Sequence, residues 1–314
     1  MRKEYQLTRR KFLGASTAMV VAATCRETRA QEKSAEGAEA AEAIEIIDIH
    51  QHTSYSGRTD EALVAHQRAM GITLTVLLPA GRKYGLAAEC GGNQTVVDLA
   101  RKHPKEFVYF ANELPDIPEA KEEIERYLDI GAIGIGEQKF PVECDSPHIE
   151  KIAAIAQERG VPVLLHFQHD AYNLKFERFH RILEKFPKVS FIGHAQTWWG
   201  NIDRDHKQEV MYPKGKVTRG GLTDRYLADY PNMYGDLSAG SGLNSMLRDE
   251  EHARWFLERH QDKLLYGSDC NDSAGQGEKC QGAQTIAAIR RRAPKGAAQR
   301  KIFRDNARRV LKLG

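Results

Sequence analysis

The sequence has no apolar run long enough to cross a membrane and no cysteine pair with the C-x-x-C spacing. Its N-terminal apolar run, residues 12–24, is shorter than the ~20 residues that a spanning helix needs. The five cysteines stand at isolated positions, so their spacing predicts no structural thiolate zinc site. We therefore expect no stable membrane anchor.

A large excess of charge of one sign is also missing. The formal net charge is +3, and residues 1–30 hold seven Lys/Arg against two Glu, which leaves 39 basic and 41 acidic residues in the remainder. The Arg/Lys-rich stretch 290–312 fits the solvated face of an outer helix. Nucleic-acid binding needs a basic surface, so we predict no nucleic-acid partner, and no pattern indicates the number of subunits.

The N-terminal segment has the features of an export signal. Arg9 and Arg10 directly precede the apolar run, and Ala30 offers a small residue for cleavage. We predict a twin-arginine signal peptide over residues 1–30, recognised by the twin-arginine export machinery, and an Ala/Glu-rich linker over 31–43. The mature protein is then periplasmic or secreted, where its four remaining cysteines can form one or two disulfides.

Residues 44–314 are predicted to form a single domain in which strands alternate with helices. Eight apolar runs have strand length: 44–49, 72–78, 107–111, 132–136, 161–165, 189–193, 233–237 and 263–267. Amphipathic helical patterns lie between them, most clearly at 60–70, 94–103, 118–128, 147–159, 174–186 and 250–260. This alternation predicts a parallel sheet with covered faces, and eight strands close a (β/α)8 TIM barrel. The longest connection follows strand six, at about 195–221, and the next longest is 80–93.

Possible metal ligands stand at the ends of four of these strands. His50 and His52 close the first strand, and residues two apart in a strand point the same way. His166, His194 and Asp269 end strands five, six and eight. Strand ends of a barrel converge on one mouth, where active sites lie, so we expect these five side chains to share a divalent metal.

Imidazole and carboxylate ligands suit zinc first, and also iron or manganese, with one or two ions. Such a metal activates water near neutral pH. Asp269 is placed to take the proton of that water, and we assign catalytic roles to Asp269 and His194.

Four motifs together resemble the amidohydrolase-related metal-dependent hydrolases, close to the aminocarboxymuconate semialdehyde decarboxylase branch. They are Ile47-Asp48-Ile49-His50-Gln51-His52, Gly193-His194, Leu265-Tyr266-Gly267-Ser268-Asp269 and Asn306-Ala307-Arg308-Arg309-Val310-Leu311. The resemblance covers residues 44–314. It implies a distorted barrel, one or two divalent metals, and either hydrolysis of C–N, C–O or P–O bonds or decarboxylation.

The resemblance also directs attention to strand four. In two-metal members a carboxylate or a carboxylated lysine bridges the ions from this strand. Glu137 resembles the bridging glutamate of TatD-like deoxyribonucleases, and Lys139 has the same strand parity. The alternative is a single-metal site with Glu137 as a supporting or substrate-binding group.

Residues beyond the strand ends are candidates for substrate recognition. Trp198 and Trp199 either wall a substrate pocket or pack the long loop on the barrel, and His169 is either a proton shuttle or a loop residue. Asp236 is expected to brace a ligand histidine. Basic residues in the two long connections, Arg82 and Lys83 among them, allow an anionic substrate.

Three functions fit these residues. The first is a hydrolase in which activated water attacks an ester, lactone or amide of a small molecule. The second is a non-oxidative decarboxylase on the same scaffold, and the two share their ligands. The third is an exported binding protein without activity, which the full ligand set disfavours.

Overall fold

The structure is a computed structural model that describes residues 44–81 and 90–314. The predicted signal peptide, the linker and the Arg82/Lys83 segment lie outside the described residues. Eight parallel strands are present in the described ranges: β1 Ile47–Gln51, β2 Leu74–Leu77, β3 Phe107–Tyr109, β4 Ile135–Gln138, β5 Val163–His166, β6 Phe191–His194, β7 Met233–Asp236 and β8 Leu264–Leu265. Their ladders run β1-β2-β3 and β4-β5-β6-β7-β8.

Backbone hydrogen bonds join these two sheets at both seams. Between β3 and β4, the Ala111 N–H donates to Gly134 O and the Gly136 N–H donates to Ala111 O, each at 2.9 Å. Between β8 and β1, the Ile49 N–H donates to Tyr266 O at 3.1 Å. The strands thus close the TIM barrel that the alternation of elements predicts, with short strands at the seams.

Alternation along the strands separates two apolar layers. Leu164 and Ile192 belong to one cluster with Val76 and Leu265, whereas the neighbouring Val163 packs in the larger cluster with the helices. Side chains in a strand alternate between its two faces, so the first cluster fills the barrel and the second lies under the helices. Every residue of β5 and β6 is buried, as expected for a sheet covered on both faces.

The α-helices of the described ranges are α1 Asp60–Ala69, α2 Asn93–Lys102, α3 Ala120–Asp129, α4 Pro147–Arg159, α5 His180–Lys185, α6 Ala195–Gly200, α7 Leu222–Asp229, α8 Ala239–Leu247, α9 Glu250–Arg259, α10 Gln281–Arg292, α11 Ala297–Arg300 and α12 Asn306–Leu311. Short 3₁₀ turns lie at Tyr55–Gly57 and Phe176–Arg178, and a π-helical turn at Lys301–Asp305. Thr59 caps α1 by accepting a hydrogen bond from the Ala62 N–H.

The helix expected over 174–186 is shorter than predicted. A 3₁₀ turn precedes α5, and Lys175, which comes directly before that turn, has a left-handed backbone. That conformation ends a regular helix, so only the second half of the amphipathic pattern becomes α-helical. The long connection after β6 also begins with a helix, α6, rather than a loop.

No helix in the described part of the chain combines the length and the apolarity needed to cross a membrane. The described cysteines, Cys90, Cys144, Cys270 and Cys280, are all free thiols, so the structure pairs none of them in the disulfides that the sequence allows.

Candidate metal centre

His50 and His52 reach the barrel interior because β1 changes face. Asp48 accepts a hydrogen bond from Gln67 of α1, outside the barrel, at 3.0 Å. A register shift between Asp48 and Gln51 marks a bulge in the β1–β2 ladder, and bulges commonly redirect a side chain next to an active site. Both imidazoles then lie inside, and each is buried.

The outer nitrogens of these rings are held by acceptors. His50 Nδ1 lies 2.7 Å from the Asp236 carboxylate, and His52 Nδ1 lies 2.7 Å from the carbonyl oxygen of Leu78. Each Nδ1 therefore donates its hydrogen, which leaves the Nε2 lone pairs pointing inward. The two Nε2 atoms are 3.1 Å apart, so either a proton on one of them or a bound cation must lie between or beside them.

His194 is also held through its Nδ1 atom, with its Nε2 atom facing the centre. Its Nδ1 lies 3.0 Å from Ser238 Oγ, and the Ser238 hydroxyl donates to Asp236 at 2.7 Å. Asp236 Oδ2 is itself 3.2 Å from His194 Nδ1. One buried carboxylate on β7 thus orients the histidines of β1 and β6, which is the bracing expected from the sequence.

Asp269 completes this side of the centre. Its N–H donates to His50 O at 2.9 Å, which fixes it at the β8–β1 seam. Its carboxylate lies 3.5 Å from the Nε2 of His52 and of His194, and 3.8 Å from that of His50. The Oδ1 atom is buried without a hydrogen-bond partner among the described residues, an uncommon state for a carboxylate oxygen that a metal ion would satisfy.

Glu137 faces the same interior from β4. Its Oε1 is 2.5 Å from His166 Nδ1, and its Oε2 is 3.5–3.6 Å from the Nε2 atoms of His50 and His52. Gly136 allows this approach, because at φ 143° a Cβ there would lie 2.7 Å from Leu164 O. Glu137 therefore belongs to two groups with ligand spacing, one with His50 and His52 and one with His166 and His194.

The charge of the centre points to a cation. Glu137 and Asp236 are buried, and Asp269, whose side chain is 12% exposed, lies close to the same histidines. Carboxylates withdrawn from water in this way need compensating positive charge. Burial raises a carboxyl pKa, yet neighbouring histidines hold the pKa of Glu137 and Asp269 well below the usual range and lower that of Asp236 to about 2. Burial lowers a histidine pKa, yet Asp269 and Asp236 raise that of His50 well above 6.5.

These observations agree on what the residues can hold. Inward lone pairs, an orphaned carboxylate oxygen and paired anions form a nitrogen- and oxygen-rich donor set at one place, which fits a divalent metal. The structure brings together the five side chains predicted from strand ends and Glu137, to which the family resemblance pointed: His50, His52, His166, His194, Asp269 and Glu137. Lys139 points elsewhere, with its Nζ 5.4 Å from the centroid of the Tyr172 ring.

The two tryptophans do not wall a pocket. Trp198 is fully buried and contacts Phe167 and Phe176, and the Trp199 indole N–H donates to the carbonyl of Asp236 at 2.8 Å. Both rings pack α6 onto the barrel. This placement favours the packing alternative over the substrate wall, because the short helix after β6 turns these side chains toward the core.

His169 does line an open space. A cavity of about 440 Å³ lies beside the centre, and Gln168, His169, Arg204 and Arg225 contribute to its lining. Gln168 Oε1 is 3.2 Å from His166 Nε2, so this cavity adjoins the metal ligands. Acidic side chains are interspersed among the basic ones in its wall.

Two aromatic residues at the centre were missed from the sequence. The Tyr55 ring lies edge-on to His52 with centroids 5.2 Å apart, and the Tyr172 ring lies edge-on to His166 at 5.5 Å. The negative charge of Asp269 and burial raise the pKa of Tyr55, which keeps its hydroxyl protonated. Neither tyrosine stands at a strand end, so no pattern marked them.

Residues 47–313 match the model of the family described as amidohydrolase, and the chain belongs to that family. It is thus an enzyme of the amidohydrolase superfamily that acts on small molecules. No curated protein matches the chain.

Several solved structures share the fold at low identity. An uncharacterized TIM-barrel protein, Bb4693 from Bordetella bronchiseptica, has a TM-score of 0.62 at 16% identity over 85% of this chain and 98% of that one. A probable 2-pyrone-4,6-dicarboxylic acid hydrolase from Acinetobacter baumannii has a TM-score of 0.58 at 14% identity over 85% and 99%. The 5-carboxyvanillate decarboxylase of Sphingomonas paucimobilis has 0.57 at 12% identity over 87% and 100%.

Proposed function

We propose that this protein is a metal-dependent hydrolase that cleaves an ester, lactone or amide of a small molecule. The observation that carries the proposal is the position of Glu137, which belongs to two of the three groups of metal donors at this centre. A carboxylate shared between two such groups fits a bridge between two divalent ions. Zinc is the metal that this nitrogen and oxygen donor set suits first.

A metal held by these residues would supply Lewis acidity and lower the pKa of a water. Asp269 is the proton carrier, because its buried Oδ1 faces the centre without a partner. It takes the proton from the attacking water and returns it to the departing oxygen or nitrogen. Asp236 and Ser238 hold His50 and His194 in place during this transfer.

Two further side chains are placed to bind the substrate. The protonated Tyr55 hydroxyl can donate to a substrate oxygen beside Asp269. Lys139 stands beside the Tyr172 ring and contributes to lowering the pKa of His166, after burial. A cation close enough to act on His166 favours a substrate that carries a carboxylate.

The test measures metal content and product together. We expect the Glu137→Ala variant to hold one equivalent of metal less than the wild type and to lose hydrolysis of a panel of carboxylated esters, lactones and amides. Release of one proton per turnover from an ester or lactone, or of one amine per turnover from an amide, without carbon dioxide supports hydrolysis. Equal metal content in both proteins would contradict the proposed bridging role of Glu137.

Decarboxylation is the second candidate, since a carboxylated substrate favoured by Lys139 suits it as well. The names of the structural neighbours include both kinds of enzyme, and at their low identity the likeness does not choose between them. Carbon dioxide released in proportion to substrate consumed, with no hydrolysis product, would establish this second reaction.

We also propose that the enzyme works outside the cytoplasm, on the strength of the paired Arg9 and Arg10. Replacement of both arginines by lysine keeps the charge and tests the signal itself. The precursor should then accumulate in the cytoplasmic fraction, and normal export of this variant would contradict the proposal.

A further inference from the structure

A second group of metal donors lies outside the centre described above. It consists of His66 on α1 with Cys270, Asp272 and Cys280 from the segment between β8 and α10, and its donor atoms all lie within 4.8 Å of one another. His66 and both cysteines are buried, and the Asp272 side chain is 15% exposed. We propose that these four side chains bind a structural zinc ion.

The distances match a tetrahedral site. With zinc–sulfur bonds of about 2.3 Å and zinc–nitrogen bonds of about 2.0 Å, two sulfurs lie about 3.8 Å apart, and a sulfur and a nitrogen about 3.5 Å apart. The Sγ atoms of Cys270 and Cys280 are separated by 3.8 Å, and Cys280 Sγ is 3.5 Å from His66 Nε2. The Asp272 carboxylate is 3.5 Å from the same nitrogen.

Hydrogen bonds around the cluster favour anionic donors. The Ala283 N–H donates to Cys280 Sγ at 3.3 Å, and the Gly275 N–H donates to Asp272 Oδ2 at 2.8 Å. Backbone donors aimed at thiolate and carboxylate ligands orient them and offset their charge. Two thiolates with one imidazole and one carboxylate select zinc over harder cations.

The site would fasten the segment that begins beside Asp269. Arg58 Nη1 already donates to the carbonyls of Cys270 and Asp272, each at 2.8 Å. A zinc ion bound by this segment and by His66 would link the segment to α1, on the outer side of β1, through coordination bonds. The ion therefore stabilises the strand end that carries Asp269 without contacting the reaction.

Cobalt distinguishes this site from the catalytic centre. A thiolate bound to Co²⁺ gives an intense near-ultraviolet charge-transfer band, and none of the six donors of the catalytic centre is a thiol. The Cys90 thiol lies near Asp269 and Glu137, which help burial to raise its pKa, so a Cys90→Ala variant must keep the band. We expect the full-length protein loaded with Co²⁺ to show this band. The Cys270→Ser/Cys280→Ser variant should lack it and bind one equivalent less metal, while Cys144→Ala, a buried cysteine elsewhere, should keep both.

Alkylation of the wild type provides a test that needs no variant. Cys270 and Cys280 should resist iodoacetamide in the zinc-loaded protein and react after a strong chelator removes the ion. Absence of the cobalt band in the wild type, or recovery of a Cys270–Cys280 disulfide with no additional zinc, would overturn the proposal.

Discussion

Asp236 Oδ2 lies 2.7 Å from His50 Nδ1, with both side chains buried, and the same oxygen lies 3.2 Å from His194 Nδ1. A single carboxylate on β7 therefore sets the tautomer of histidines on two other strands. The position of the inward-facing Nε2 atoms of His50 and His194 therefore depends on both the negative charge and the shape of the Asp236 side chain.

The first prediction concerns a variant that lacks the negative charge of Asp236. Asp236→Asn keeps the size of the side chain but weakens the hold on both imidazoles, so metal affinity should fall roughly 10- to 100-fold, the usual effect of losing such a partner. Competition with a chromophoric chelator measures it. Asp229→Asn, exposed at the end of α7, is the matched control, and an unchanged affinity for Asp236→Asn would show that the bracing is not needed.

A second prediction concerns the β1–β8 seam. Asp48 accepts hydrogen bonds from the backbone N–H groups of His50 and Ser268 and from the Gln67 side chain. Asp48→Ala leaves these buried donors without an acceptor, and each costs about 1–3 kcal/mol. We expect the free energy of unfolding to fall by about 3 kcal/mol or more in urea denaturation of metal-free protein.

The control for this loss is Asp98→Ala, since Asp98 is exposed on α2 and, among the residues that the structure describes, its side chain accepts a hydrogen bond from Gln94. Its free energy of unfolding should stay within about 0.5 kcal/mol of the wild type. A similar small change for Asp48→Ala would mean that water replaces the lost acceptor.

The sequence predicts the positions of the metal ligands along the strands better than it predicts the directions in which their side chains point. His166 and His194 end regular strands and pair in register, so strand counting alone places them together. His50 follows a bulge that moves it off the face of Asp48, and nothing in the alternation of residues marks that bulge. Its position depends on the β2 ladder and the β8 seam, which are contacts remote in sequence.

Dependence on contacts remote in sequence also explains why the sequence does not predict that Cys270 and Cys280 lie close to His66. Cys270 and Cys280 are separated by nine residues, a spacing that matches no zinc motif, and His66 comes from the other end of the domain. Only closure of β8 against β1 brings them within ligand distance. Trp198 likewise follows a predicted strand end, but the helical turn after β6 directs it inward.

A third prediction separates packing from substrate contact at Trp198. Trp198→Ala empties a buried site among Phe167 and Phe176, and large-to-small changes of this kind cost roughly 3–5 kcal/mol. Thermal or urea unfolding should show this loss. Trp255→Ala should cost less, because Trp255 is partly exposed beneath Arg219 and Arg259; a change in KM with unchanged stability for Trp198→Ala would restore the pocket-wall role.

The last prediction is a pH dependence of stability that comes from His252. Burial lowers the pKa of His252 to about 4, and neither ring nitrogen has a hydrogen-bond partner within the described ranges. Its ring instead contacts those of Trp255 and Phe256. The site thus accepts a neutral imidazole and rejects the charged form.

The unfolded chain and the folded protein bind different numbers of protons between pH 4 and pH 6.5. In the unfolded chain a histidine takes up a proton near pH 6.5, while His252 in the folded protein does so only near pH 4. Between these values the unfolded state binds more protons, so acid favours unfolding, with a slope of at most about 1.4 kcal/mol per pH unit. His252→Leu should remove this part of the slope, and His180→Gln, a partly exposed histidine, should keep it. Parallel curves for wild type and His252→Leu in urea denaturation from pH 4 to pH 7 with EDTA would show that His252 is protonated in the folded protein, against the burial argument.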